Sequence, residues 1–292
     1  MSLVACQPSS SGPTDAQAAP GALPDSILAP PDSTLDRFRT ALDAAGVDTL
    51  QDAPVGRIMQ AIGLQFMDAP YLAGTLDAPS SETLVLRFDG FDCVTFVETA
   101  LAMARGVAHA DRSYEGFARR MAEQRYRNGT LNGYCSRLHY FTEWVADNEE
   151  LGIVEDLSDD LGGRVLRDTL DFMSTHRSAY DRFATNDSLF ACVQDMEVRL
   201  RTEAPPVRYI PQDAIRAVYN RLRAGDILAF VTSIDGLDVA HTGLVYKGDD
   251  GSTGLLHASL SDGVVVSPDL QRYVQQIDTQ IGIVVARPQH VK

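Results

Sequence analysis

Cationic charge, cysteine, tryptophan and long apolar runs are all scarce in this chain. Lysine and arginine number 25 against 40 aspartates and glutamates, a net charge of −15 over 292 residues. No basic patch of useful size interrupts that excess, which argues against a nucleic-acid surface. No apolar run reaches the roughly 18 residues that a membrane-spanning helix needs. The four cysteines, Cys6, Cys93, Cys135 and Cys192, form no CxxC or CxxH pair. A zinc site is therefore not expected, and four cysteines are too few for a disulfide framework in a chain this long. With 45% hydrophobic and 22% charged residues, the chain can still bury an ordinary globular core.

The first 32 residues carry no periodicity. "QPSSSGPTDAQAAPGALPDSILAPPD" is rich in Pro, Ser, Ala and Gly and reads as a disordered linker or arm. Just before it, "LVAC" (residues 3–6) resembles a bacterial lipobox, which implies a possible membrane tether through lipidated Cys6, although no charged n-region and almost no apolar h-region precede it. Residues 33–292 read as a single domain. Helical spacing runs through "TLDRFRTALDAAG", "PVGRIMQAIGLQFM", the segment from Cys93 to about Ala104, "SYEGFARRMAEQRYR", "SRLHYFTEWVADNEE", "NDSLFACVQDMEVRLRTE" and "PQDAIRAVYNRLRAGD". "TLVLRF" is a short strand candidate. After Asp226, "DILAFVTS", "HTGLVYKG", "TGLLHASL", "GVVVSP" and "IGIVVARP" alternate with turn residues and predict an antiparallel meander. Helices first and strands later make the class α+β.

Cys93 is the residue that raises a chemical question. It follows Asp92, a good N-cap, and so stands at a helix start, where the helix dipole favours the thiolate. Read alone, it is better explained as a small buried filler, as most lone cysteines are. A nucleophilic cysteine needs a base, and His241 and His257 fall in neighbouring strands of the predicted meander. A hairpin can bring both side chains to one face as base and orienter in series. Each histidine taken singly is also a plain hydrogen-bonded strand-end residue.

Taken in order, "PYLAG", "DCVTF", "GDILAF", "HTGLVYKG" and "HAS" resemble the NlpC-like papain-type cell-wall hydrolases. The matching positions are Pro70, Tyr71 and Gly74; Asp92 and Cys93; Gly225, Asp226 and Phe230; His241, Gly243 and Tyr246; and His257 with Ala258. Val94 and Thr95 stand where Ser-Gly is usual, and the gap from cysteine to histidine is long. "DCVTFVE", "RLHYFTEW" and "GLDVAHTG" are similar to the N-acetylmuramoyl-L-alanine amidase-like branch, over about Ile58 to Pro288.

The resemblance implies a papain-like α+β core and hydrolysis of the amide between N-acetylmuramic acid and L-alanine in peptidoglycan or muropeptides. It makes Cys93 the nucleophile, within hydrogen-bonding reach of its base His241, and His257 the orienter. It places Tyr71 and the Cys93 N–H at the oxyanion. The helical insertion is then expected to carry specificity, with Arg137, His139 and Tyr140 on one helix and Arg137 a candidate for a stem-peptide carboxylate. A structural ion pair is the equal alternative for Arg137. Asp238 either lines the site or caps its turn. Cys135 and Cys192 read as separate buried side chains, pairing only if the protein is exported. No metal or cofactor is expected, and the resemblance places the protein in the cell envelope or periplasm. Two other functions stay open: an endopeptidase cutting between D-glutamate and the diamino acid, and an inactive cell-wall binding module.

Overall fold

The computed structural model describes residues 23–166, 169–204 and 206–290. The lipobox-like segment with Cys6 lies outside the described residues. Structure begins earlier than the composition predicts: Asp25–Leu28 forms a helical turn, α1, and α2 spans Asp32–Ala44. Leu23, Ile27 and Leu28 supply the reason, because they pack on the main core.

Helices α3 (Val55–Gly63), α4 (Cys93–Ala108) and α5 (Tyr114–Arg125) follow their predicted periodicity. In α4 every residue from Thr95 to Val107 is buried, so it is a central core helix rather than one with a single apolar face. Its charged residues survive burial by pairing. Arg125 of α5 closes on Glu98 at 2.7 Å with both side chains buried, and Arg105 reaches Glu123 at 2.6 Å. "TLVLRF" joins no sheet; its Thr83 and Val85 carbonyls accept from Tyr126 and Arg125 instead.

The chain continues through α6 (Phe141–Glu150), β1 (Val154–Asp156), β2 (Arg164–Val165), α7 (Phe172–Thr175) and α8 (Asp187–Glu203). Helix α6 starts five residues later than "SRLHYFTEW" predicts. The Arg137 backbone bridges Tyr126 antiparallel, and the Leu138 N–H donates to the Arg125 carbonyl at 3.0 Å, which holds that stretch extended. "PQDAIRAVYNRLRAGD" also yields less helix than its spacing suggests, only a 3-10 turn at Ile215–Val218.

Strands β3 (Arg208–Pro211), β4 (Ile227–Thr232), β5 (Val239–Lys247), β6 (Thr253–Ser259) and β7 (Gly263–Ser267) precede helix α9 (Leu270–Gln275) and strand β8 (Gln280–Pro288). The antiparallel sheet has the order β2-β3-β8-β4-β5-β6-β7, with β1 also on β8. Four strands, β4 to β7, form the expected meander. The last does not extend it: β8 returns to lie between β3 and β4. Both faces are covered. Ile227, Leu244, Leu256 and Ala258 pack toward α3 and α4, whereas Leu228, Val245, Leu255 and Val285 pack toward α9. Among the described residues no helix is long and apolar enough to cross a membrane.

Candidate active site

Cys93 is the first residue of α4 and keeps partial exposure. A capping box fixes it there. Asp92 Oδ1 accepts the Thr95 N–H at 2.7 Å, and Thr95 Oγ1 accepts the Asp92 N–H at 3.0 Å. The unusual Thr95 is thus the residue that returns the second bond of the box.

The thiol does not behave as the helix start alone predicts. Burial raises its pKa, and the adjacent Asp92 carboxylate raises it further; the Thr242 N–H and hydroxyl and the Tyr71 hydroxyl oppose both without prevailing. The helix end contributes about half a unit of positive charge. The capping carboxylate brings a whole negative charge just as close, so cap and dipole work against each other.

Strand alternation places His241 and His257 on the sheet face that carries Val245 and Leu255. His241 Nε2 lies 2.8 Å from His257 Nδ1, and His257 Nε2 lies 3.2 Å from Ser267 Oγ. Gly243 makes the pairing possible: a Cβ there would stand 2.9 Å from the His257 Cβ. Tyr273 of α9 packs edge-on against His257 with ring centres 4.8 Å apart, and Phe230 backs His241 at 5.6 Å. Burial, then the neighbouring His257, pushes His241 down to about 3. Burial likewise pushes His257 down to about 4. Both rings are therefore neutral near pH 7. Thr242, the next residue of β5, meets the Cys93 sulfur through its N–H and hydroxyl.

Cys93, Arg137, His139, Asp238, His241 and Thr242 line one cavity of about 290 Å³. No hydrogen bond joins Cys93 to His241, the contact expected of a ready pair; the sulfur rests against Thr242 and Tyr71 instead. The Tyr71 hydroxyl faces the Cys93 thiol and backbone N–H; burial, then the Cys93 thiol and the Asp92 carboxylate, raise its pKa, and the Cys93 N–H opposes them without prevailing.

The other predicted contacts divide. Arg137 lines the cavity but is 5% exposed and already pairs with Asp77, with Glu82 at 3.7 Å from its Nε. The structural ion pair is therefore present. His139 lies beside it, its Nε2 2.9 Å from the Tyr134 carbonyl, and burial, then Arg137, holds it neutral. Tyr140 does not reach the cavity. It precedes α6 as the N-cap residue, with no side-chain cap bond, and is buried in a satellite core, with its hydroxyl on Glu197 at 2.7 Å. Asp238 lines the cavity, and what it caps is not its own turn but α6: its carboxylate accepts the Thr142 N–H and hydroxyl at 2.8 and 2.7 Å. Cys135 and Cys192 are not separate but disulfide-bonded. Thr242, Ser267 and Tyr273 were not singled out by the sequence motifs. Strand alternation beside His241 was the available signal for Thr242; nothing local marks the other two. Among the described residues no group of three or more His, Cys, Asp or Glu side chains is placed to hold a metal ion.

Residues 61–283 match the model of the AmiA-like family, described as N-acetylmuramoyl-L-alanine amidase-like. The chain belongs to this family. Among solved structures it resembles an N-acetylmuramoyl-L-alanine amidase from Bacteroides uniformis, 32% identical over 80% of this chain and 99% of that one, with a TM-score of 0.75. A Bacteroides fragilis protein provisionally described as a xylanase is 36% identical over 77% of this chain and 98% of its own, with a TM-score of 0.71. A Legionella pneumophila protein at 19% identity shares the fold, covering 88% of this chain and 94% of its own with a TM-score of 0.64. No curated protein sequence matches the chain. The family and the Bacteroides uniformis neighbour support a peptidoglycan amidase of α+β architecture.

Proposed function

We propose that this amidase-like protein is a papain-type cysteine hydrolase that cleaves the amide between the lactyl group of N-acetylmuramic acid and L-alanine. The observation that carries the reading is the His241–His257–Ser267 chain opening into the cavity that holds Cys93. In the tautomer that suits a base, His241 donates from Nε2 to His257, and His257 donates from Nε2 to Ser267. That leaves the His241 Nδ1 lone pair for the thiol proton.

Cys93 and His241 start neutral. As substrate enters, the sulfur leaves Thr242, gives its proton to His241 Nδ1 and bonds to the lactyl carbonyl carbon. The oxyanion forms near the Cys93 N–H and the Tyr71 hydroxyl, both donors to a developing charge. His241 then protonates the alanine nitrogen, the C–N bond breaks, and a thioester remains. Water, deprotonated by His241, attacks it and releases the lactyl carboxylate and the free thiol. The Cys135–Cys192 disulfide fits an oxidising compartment, which agrees with a cell-envelope location.

Cys93→Ala should abolish hydrolysis without unfolding the protein. Mass spectrometry of muropeptides after incubation checks this and identifies the bond. Free stem peptides cut between D-glutamate and the diamino acid would replace the amidase by an endopeptidase. An active Cys93→Ala variant would remove the cysteine mechanism.

A further inference from the structure

One wall of the cavity is not part of the main core. Residues 72–82 form no regular element and contribute Gly74, Leu76 and Asp77 to the lining. Much of their hold on the rest of the molecule comes from two arginines. Arg137 pairs with Asp77 and lies near Glu82, and Arg182 donates from Nη1 to the Pro79 carbonyl. Both guanidinium groups sit over one ring, that of Tyr134, at 4.9 and 5.2 Å from its centre. Cation–π attraction and the shared ring thus set where both straps can reach.

Tyr134 belongs to a satellite core with Tyr140, Met173, Phe183, Val193 and Met196. A cluster that small has little apolar area to order itself. The next residue, Cys135, is bonded to Cys192 of α8, with Cα atoms 6.3 Å apart and 57 positions of sequence between them. The staple therefore lies one residue from the ring that seats both arginines. On the other side the Arg127 guanidinium donates to the Cys135 carbonyl at 2.8 Å; α8 is tied to the same region by the Tyr140 hydroxyl on Glu197 at 2.7 Å and by Arg199 near Glu143 at 3.4 Å, and the disulfide adds the covalent link next to Tyr134.

We propose that the Cys135–Cys192 disulfide is a positioning element of the catalytic cavity: through Tyr134 it seats Arg137 and Arg182, which fasten residues 72–82 as the wall against which substrate binds. This rests on the amidase reading. The nucleophile and its histidines stand on α4, β5 and β6, outside the stapled unit, so opening the disulfide should weaken substrate binding and leave bond cleavage intact.

The test uses the full chain as wild type, as a Cys135→Ser/Cys192→Ser double variant, and as Arg182→Gln. Each is assayed on purified muropeptide and, independently of activity, by limited proteolysis mapped by mass spectrometry. The expected result for the double variant is a KM raised roughly fivefold or more with kcat within about twofold, the split that marks lost uniform binding. New cleavage should appear within residues 72–82. A phosphine reductant, which gives two electrons to the disulfide and becomes the phosphine oxide while water supplies the oxygen and the protons of the two thiols, should produce the same change in wild type and none in the double variant. An unchanged KM and unchanged cleavage pattern in the folded double variant would overturn the proposal, as would a fall in kcat alone. If the double variant does not fold, Arg182→Gln decides by the same split. A wild type that cleaves no muropeptide would count against the amidase reading, and the proteolysis pattern would still decide this one.

Discussion

At Cys93 the local electrostatics and the chemistry pull apart. The capping carboxylate that holds the cysteine at the helix start also resists its ionisation, and burial adds to the resistance. The site therefore rests as a thiol beside a neutral imidazole rather than as an ion pair. Two measurements follow. Iodoacetamide labelling of Cys93 should rise only as pH passes above the ordinary thiol range of about 8.5, whereas an activated cysteine would label fully near neutrality. On the acid side, the proposed mechanism needs His241 neutral so that it can accept a proton. Its pKa is depressed, so the base is lost only as pH falls through about 3 to 4, the values of His241 and His257. The kcat/KM profile should thus stay flat down to that range. An acid limb near the ordinary histidine value of about 6.5 would show that the imidazoles are not held as the structure has them.

The elements that build the site depend on close approach. Strands β5 and β6 bring the histidines together because Gly243 leaves room for His257. Gly243→Ala would put a Cβ 2.9 Å from the His257 Cβ and 3.1 Å from the Leu256 carbonyl, so the ring must move. A misplacement of about 1 Å costs on the order of a hundredfold in rate, and turnover should fall by roughly that much. Thermal unfolding should report a smaller loss, about 1–3 kcal/mol for local overpacking. Helix α4 depends on a buried ion pair. Glu98→Ala strands Arg125, which is 2% exposed, and should cost about 3–5 kcal/mol in denaturant unfolding. Glu115→Ala, which breaks an exposed pair with Arg119 one turn away, should cost only about 0.3–0.5 kcal/mol. Equal costs would mean that the Glu98 pair does not hold α4 to α5.

Over the whole molecule the net charge of −15 is the governing electrostatic fact. Stem peptides carry carboxylates, so on the proposed function the protein and a muropeptide repel at long range. Raising ionic strength from about 0.01 M to about 0.15 M shortens the Debye length from about 30 Å to about 8 Å. Association should accelerate, and kcat/KM should rise over that range while kcat stays level. A falling kcat/KM would reveal a cationic approach to the cavity that outweighs the global charge.

Pieces with local causes could be read from the order of residues: the capped helix start at Cys93, the strands with His241 and His257, and the α+β order of helices before meander. Caps and periodicities act over three or four residues, so they are legible in a string of letters. What those pieces face emerged only from long-range packing. Arg137 meets Asp77 across 60 positions, Cys135 bonds Cys192 across 57, and β8 returns beside β4 instead of following β7. Tyr140 turned to Glu197, and His257 found Ser267, for the same reason. The thiol's reluctance to ionise belongs here too, because Asp92 could be read beside Cys93 but the depth of burial could not. Partners distant in sequence are chosen by how the packed surfaces close on one another, and no local spacing encodes that choice.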